Sequence, residues 1–121
     1  MPLVFVLAED WKLRSAVRAE LRERGVRALG MDTADAAGQA IAEGERPAAV
    51  VLEGTAALLA DPGVQQLVSR IPTVLVASRT QTIPFSPHND QRWRGGVLYR
   101  PVLVGEIVSA VLELLEKGEA A

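Results

Sequence analysis

The sequence predicts an α/β fold, an open five-stranded parallel sheet with helices on both faces. Apolar runs of strand length alternate with segments of helical periodicity along the chain, the pattern of successive βαβ units. The runs are continuously apolar, as strands buried on both faces are, and do not alternate as half-exposed strands do. A chain of 121 residues suffices for one core and one domain.

Taken in order, "PLVFVLAED" is apolar through Ala8 and then acidic, a first strand ending at Glu9 and Asp10. In "WKLRSAVRAELRERG" the apolar positions Leu13, Ala16, Val17 and Leu21 recur at helical spacing, with Asp10 as N-cap and Gly25 as the stop. "VRALGMD" is a short second strand, "TADAAGQAIAEG" a small helix ending at Gly44, and "PAAVVLEG" a third strand carrying Glu53. "TAALLA" and "VQQLVSRI" are each helical, separated by the punctuation Asp61-Pro62-Gly63. "PTVLVAS" is a fourth buried strand and "GVLYRP" a shorter fifth. "VLVGEIVSAVLELLEKG" closes the domain as a helix with Ile107, Val108, Val111, Leu112 and Leu115 on a broad apolar face. Leu103, Ala110 and Leu114 lie beyond that face and suit either a wide buried face or a partner surface. Between strands four and five, residues 79–96 carry two prolines, two terminal glycines and no apolar periodicity, and read as an irregular loop. The domain is expected over residues 1–117, with 118–121 as a frayed tail.

Composition excludes several classes of function. Apolar residues are 49% and aromatic residues 4%, so the core is built from Val, Leu, Ile and Ala. A formal charge of -2 supplies no strong field for nucleic acid or an anionic membrane. The absence of cysteine removes disulfides, thiolate metal sites and thiol nucleophiles. Apolar runs fall far short of the roughly 20 residues of a spanning helix, and "PLVFVL" is too short for a signal peptide, so a cytoplasmic protein is expected. His88 has no second His or Cys to complete a metal site. "QRWRGG" has one aromatic, too little for a single-strand nucleic-acid platform. Arg14, Arg18 and Arg22 form a basic stripe on the first helix that Glu20 and Glu23 offset, the pattern of a solvated face.

In an open parallel sheet, ligands bind outside the carboxyl ends of the strands. Strand one delivers Glu9 and Asp10 to that edge, strand three Glu53, strand four Ala77 and Ser78, and strand five Arg100 followed by Pro101. A flavin or nucleotide site needs a loop after strand one that cradles phosphate, and "EDWK" offers two negative charges. A Mg²⁺-dependent phosphatase needs two aspartates two positions apart after a strand, a spacing "AEDWK" lacks.

Through the segments "AED", "VVLEG", "VLVAS" and "YRP", and through the order of its elements, the whole chain resembles the receiver domain of bacterial two-component response regulators. The stretch "AEDWKLRSAVRAELRERGVRAL" is similar to that family's first helix and second strand. The resemblance implies a flavodoxin-like, receiver-type fold. It also implies an acidic pocket of Glu9, Asp10 and Glu53, with Glu53 at the phospho-acceptor position and Ala77, Ser78, Arg100 and Pro101 at the switch positions. In such domains two carboxylates and an acceptor Asp hold Mg²⁺ at about 2.0–2.1 Å, and the metal stabilises charge on a transferring phosphoryl group.

Set against the family pattern, Glu53 replaces the nucleophilic Asp. Its extra methylene displaces the carboxylate by roughly one bond length, and errors near 1 Å can cost about 100-fold in rate. Arg100 replaces lysine with a planar fork suited to a carboxylate partner. Ala77 falls where the family hydroxyl does, displacing or deleting it, and residues 79–96 stand where a fourth helix is expected, leaving that helix degenerate. The resulting expectation is a non-catalytic signalling module, a pseudo-receiver independent of phosphorylation, in which Glu53 pairs with Arg100. It requires no cofactor, and its partner is another protein or a second copy of itself. The alternative is a working phosphorelay receiver that still binds Mg²⁺ and accepts phosphate.

Overall fold

The computed structural model describes residues 1–83 and 95–120. Five strands, β1 (Leu3–Leu7), β2 (Arg27–Met31), β3 (Ala49–Glu53), β4 (Thr73–Ala77) and β5 (Gly95–Tyr99), form one parallel sheet in the order β2-β1-β3-β4-β5. The connections carry α1 (Trp11–Glu23), α2 (Ala34–Ala42), α3 (Ala56–Ala60) and α4 (Pro62–Arg70), and α5 (Val104–Ala120) follows β5. Strand order reverses at β1, so the carboxyl ends of β1 and β3 flank the switch point.

Strand alternation sorts the core by size. Leu3, Phe5, Leu7, Val50, Leu52 and Leu75 pack under α2, α3 and α4, with Ala37, Leu58, Leu59, Val64, Leu67 and Val68. Val4, Val6, Val51, Val74 and Val76 lie on the other face, beneath Val17 and Leu21 of α1 and Ile107, Val108 and Val111 of α5. Glu53 follows Val51 by two residues, so the same alternation turns it toward α1 and α5.

Local chemistry sets the helix ends. Asp10, Thr33, Thr55 and Asp61 each cap the helix that follows by accepting from a first-turn N–H. Asp61 therefore ends α3 and starts α4, as its place before Pro62 predicts. Gly25 and Gly44 follow α1 and α2 with φ of 78° and 107°, conformations open to glycine. Among the described residues no helix is long and apolar enough to cross a membrane.

Three boundaries and one position differ from the sequence reading. β5 begins at Gly95, one residue before the expected strand at Gly96, and the two glycines pair with Thr73 and Val74. That ladder is made by backbone and needs no side chain. α5 begins at Val104, not Val102, because the Glu106 carboxylate reaches back to the Leu103 N–H at 3.1 Å and marks the helix start. It also runs on to Ala120, two residues past the expected helix end at Gly118, since extending a formed helix fixes one residue per added hydrogen bond. Ala16 shares the helical spacing of Leu13, Val17 and Leu21 yet is exposed. The readings placed on residues 84–94, including His88, Trp93 and the degenerate fourth helix, lie outside the described residues. The described start of that stretch is a turn in which Gln81 N–H donates to the Ser78 carbonyl at 3.1 Å.

Candidate functional site

β3 places Glu53 at its last position, paired in register with Val76 of β4, where the residue is 5% exposed. A carboxylate this buried needs donors, and three converge on it. Oε1 accepts the backbone N–H of Glu9 at 2.8 Å and of Asp10 at 3.0 Å. Oε2 accepts from Arg100 Nη2 at 2.7 Å. One side chain thus ties the ends of β1, β3 and β5 together by charge-assisted bonds.

The chain leaves β3 through a close passage beside β4. Gly54 N–H donates to the Val76 carbonyl at 2.7 Å, and Thr55 N–H folds back to the Glu53 carbonyl at 2.9 Å. A Cβ on Gly54 would lie 3.1 Å from the Val76 carbonyl oxygen and 3.3 Å from Leu75 Cδ1. Gly54→Ala is accordingly expected to cost about 1–3 kcal/mol, seen as a lower urea midpoint; an unchanged midpoint would show that β3 and β4 separate freely here.

Glu9 and Asp10 reach the site through their backbone and not through their side chains. Both residues are exposed, and Asp10 Oδ1 is engaged by the Lys12 N–H at 2.9 Å as the cap of α1. At the acidic pocket expected from Glu9, Asp10 and Glu53, only the Glu53 carboxylate is buried. The three residues meet, but two contribute N–H donors where a metal needs oxygen lone pairs. Among the described residues no group of three or more His, Cys, Asp or Glu side chains is placed to hold a metal ion. As arranged here, the set does not fit Mg²⁺, which requires converging oxygen ligands in near-octahedral geometry.

Ala77 is buried at the end of β4, and its carbonyl accepts the Arg100 N–H at 2.9 Å, which extends the β4–β5 ladder by one residue. A methyl group stands at that position. The Ser78 hydroxyl is 3.0 Å from the Thr80 hydroxyl within the local turn. Pro101 follows Arg100 through a cis peptide bond and is exposed. The Arg79 guanidinium lies 5.0 Å from the centre of the Tyr99 ring, which brings the start of the β4–β5 connection over the end of β5.

Arg14 is a site residue that sequence reasoning missed. It read as part of a solvated stripe, whereas its Nη1 donates to the Ala8 carbonyl at 2.7 Å and its stem crosses Gly30 of β2. It holds from outside the turn whose N–H groups hold Glu53 from inside. Its position one turn beyond the strand end is the only sequence signal, and a basic residue there is too common to be diagnostic.

By sequence, the chain matches no family model and no curated protein. By structure it is similar to solved proteins over nearly its whole length. The receiver domain of the Francisella response regulator 1452 superposes with a TM-score of 0.74 at 15% identity, covering 98% of this chain and 99% of that one. A response regulator receiver protein from Burkholderia phymatum gives 0.67 at 18% identity, covering 96% of each chain. NtrX from Brucella abortus gives 0.75 at 18% identity, covering 99% of this chain and 28% of that one. The fold is that of response regulator receiver domains.

Proposed function

We propose that the protein is a pseudo-receiver, a non-catalytic signalling domain that works by binding another protein or a second copy of itself and is not switched by phosphorylation. The observation that carries this reading is the buried Glu53 carboxylate, both of whose oxygens are already hydrogen-bonded to the Glu9 and Asp10 amides and to Arg100. A nucleophile needs a free lone pair aimed along the line of attack. Oxygens held by three donors are poorly placed for it, and the cation that would assist the transfer meets N–H groups. The methyl of Ala77 and the Ser78–Thr80 hydroxyl pair leave no described hydroxyl directed to the carboxylate. The size of NtrX relative to the segment it shares with this chain fits a module that acts through partners. Taken with the low net charge, the assignment favours a protein partner in the cytoplasm over nucleic acid or membrane.

Intact mass after incubation with acetyl phosphate and Mg²⁺ tests the reading. No phosphoryl increment is expected on the wild-type chain. An increment that disappears in Glu53→Gln would instead make this a working phosphorelay receiver.

A further inference from the structure

The backbone that carries the donors around Glu53 is held in place by contacts that do not involve Glu53. Arg14 fixes the Ala8 carbonyl at 2.7 Å, and the Ala8 N–H pairs with the Met31 carbonyl at 3.0 Å. The Asp10 side chain caps α1 through Lys12, and the Arg100 N–H is bound to Ala77. The Glu9 and Asp10 amides, both taken by Glu53 Oε1, sit at the amino end of a 13-residue helix whose cap is the Asp10 carboxylate. Arg100 supplies a full positive charge from the opposite side.

We infer that these groups form a preorganised binding site for a small monocarboxylate, and that Glu53 is its tethered resident ligand. The inference deepens the pseudo-receiver reading and rests on it. Two successive N–H groups serve one oxygen and a guanidinium the other, an arrangement that matches a planar carboxylate. It is the reverse of what a cation requires. Tethering gives Glu53 an effective concentration that free anions do not match, so the wild-type site is closed to them. Cutting the side chain back to alanine removes the acetate-sized end of Glu53 and opens the site.

Thermal unfolding of Glu53→Ala in sodium acetate, sodium chloride, sodium phosphate and magnesium chloride at matched ionic strength reads the site directly. At about 0.1 M acetate the variant is expected to gain roughly 3–6 °C over chloride, while wild type and Glu53→Ala/Arg100→Ala gain nothing. If Glu53→Ala is unfolded in chloride, recovery of its circular dichroism signal in acetate counts as the same result, and no recovery overturns the inference. Equal stabilisation by chloride, or greater stabilisation by phosphate or Mg²⁺, also overturns it. Phosphoryl uptake by wild type would sink the pseudo-receiver reading itself, whereas an inert wild type with an acetate-blind variant sinks only the carboxylate site.

Discussion

Glu53→Ala is expected to lower the free energy of unfolding by about 2–4 kcal/mol, since a hydrogen bond to a charged group contributes roughly 1.5–3 kcal/mol and only part of each is replaced by water. Three donors lose one acceptor in a single step. The Glu9 and Asp10 amides lie at an exposed turn and recover some solvation, which keeps the loss below the sum of its parts. Arg100→Ala should cost less, about 1–2 kcal/mol, because its side chain is 46% exposed and the pair is partly screened by solvent. The two changes share a bond, so the double variant should fall short of additivity. Urea unfolding of the four proteins measures the cycle. Strict additivity would mean that the 2.7 Å contact contributes nothing to stability in solution.

Phe5→Ala is expected to have the largest effect on the fold, about 3–5 kcal/mol. Phe5 is fully buried at the centre of β1, on the face covered by α2, α3 and α4. It is the one aromatic residue among the largest fully buried side chains, so its loss opens a cavity that aliphatic neighbours on rigid strands cannot close. Trp11→Ala is the control. Trp11 is 62% exposed at the start of α1, and its removal should change stability by no more than about 0.5 kcal/mol. Equal effects from Phe5 and Trp11 would contradict the assigned core.

The fold was legible because the chain is locally consistent. Uninterrupted apolar runs such as Leu3–Leu7 and Val74–Ala77 have the length and branching of strands covered on both faces, and Asp10, Thr33 and Asp61 announce the helices that follow. Errors occurred where backbone pairing carries the structure without help from side chains. Gly95 has no side chain to signal a strand, and α5 continues two residues past Gly118, where the expected helix ended.

By itself the sequence determined the alternation of strands and helices, the parallel sheet that it implies, and the set of residues delivered to one edge, because hydrophobic periodicity is a property of pattern alone. It also brought Glu53 opposite Arg100, since β3 and β5 must end at the same edge of a parallel sheet. What only the tertiary structure decided is how that edge is used. Glu9 and Asp10 carry both an acidic side chain and an N–H donor, and a sequence displays the first while hiding the second. The folded turn, pinned by Arg14 across Gly30, sends the carboxylates to solvent and the amides to Glu53. Backbone direction at a turn depends on contacts between distant residues, and it converts an apparent cation pocket into a seat for an anion.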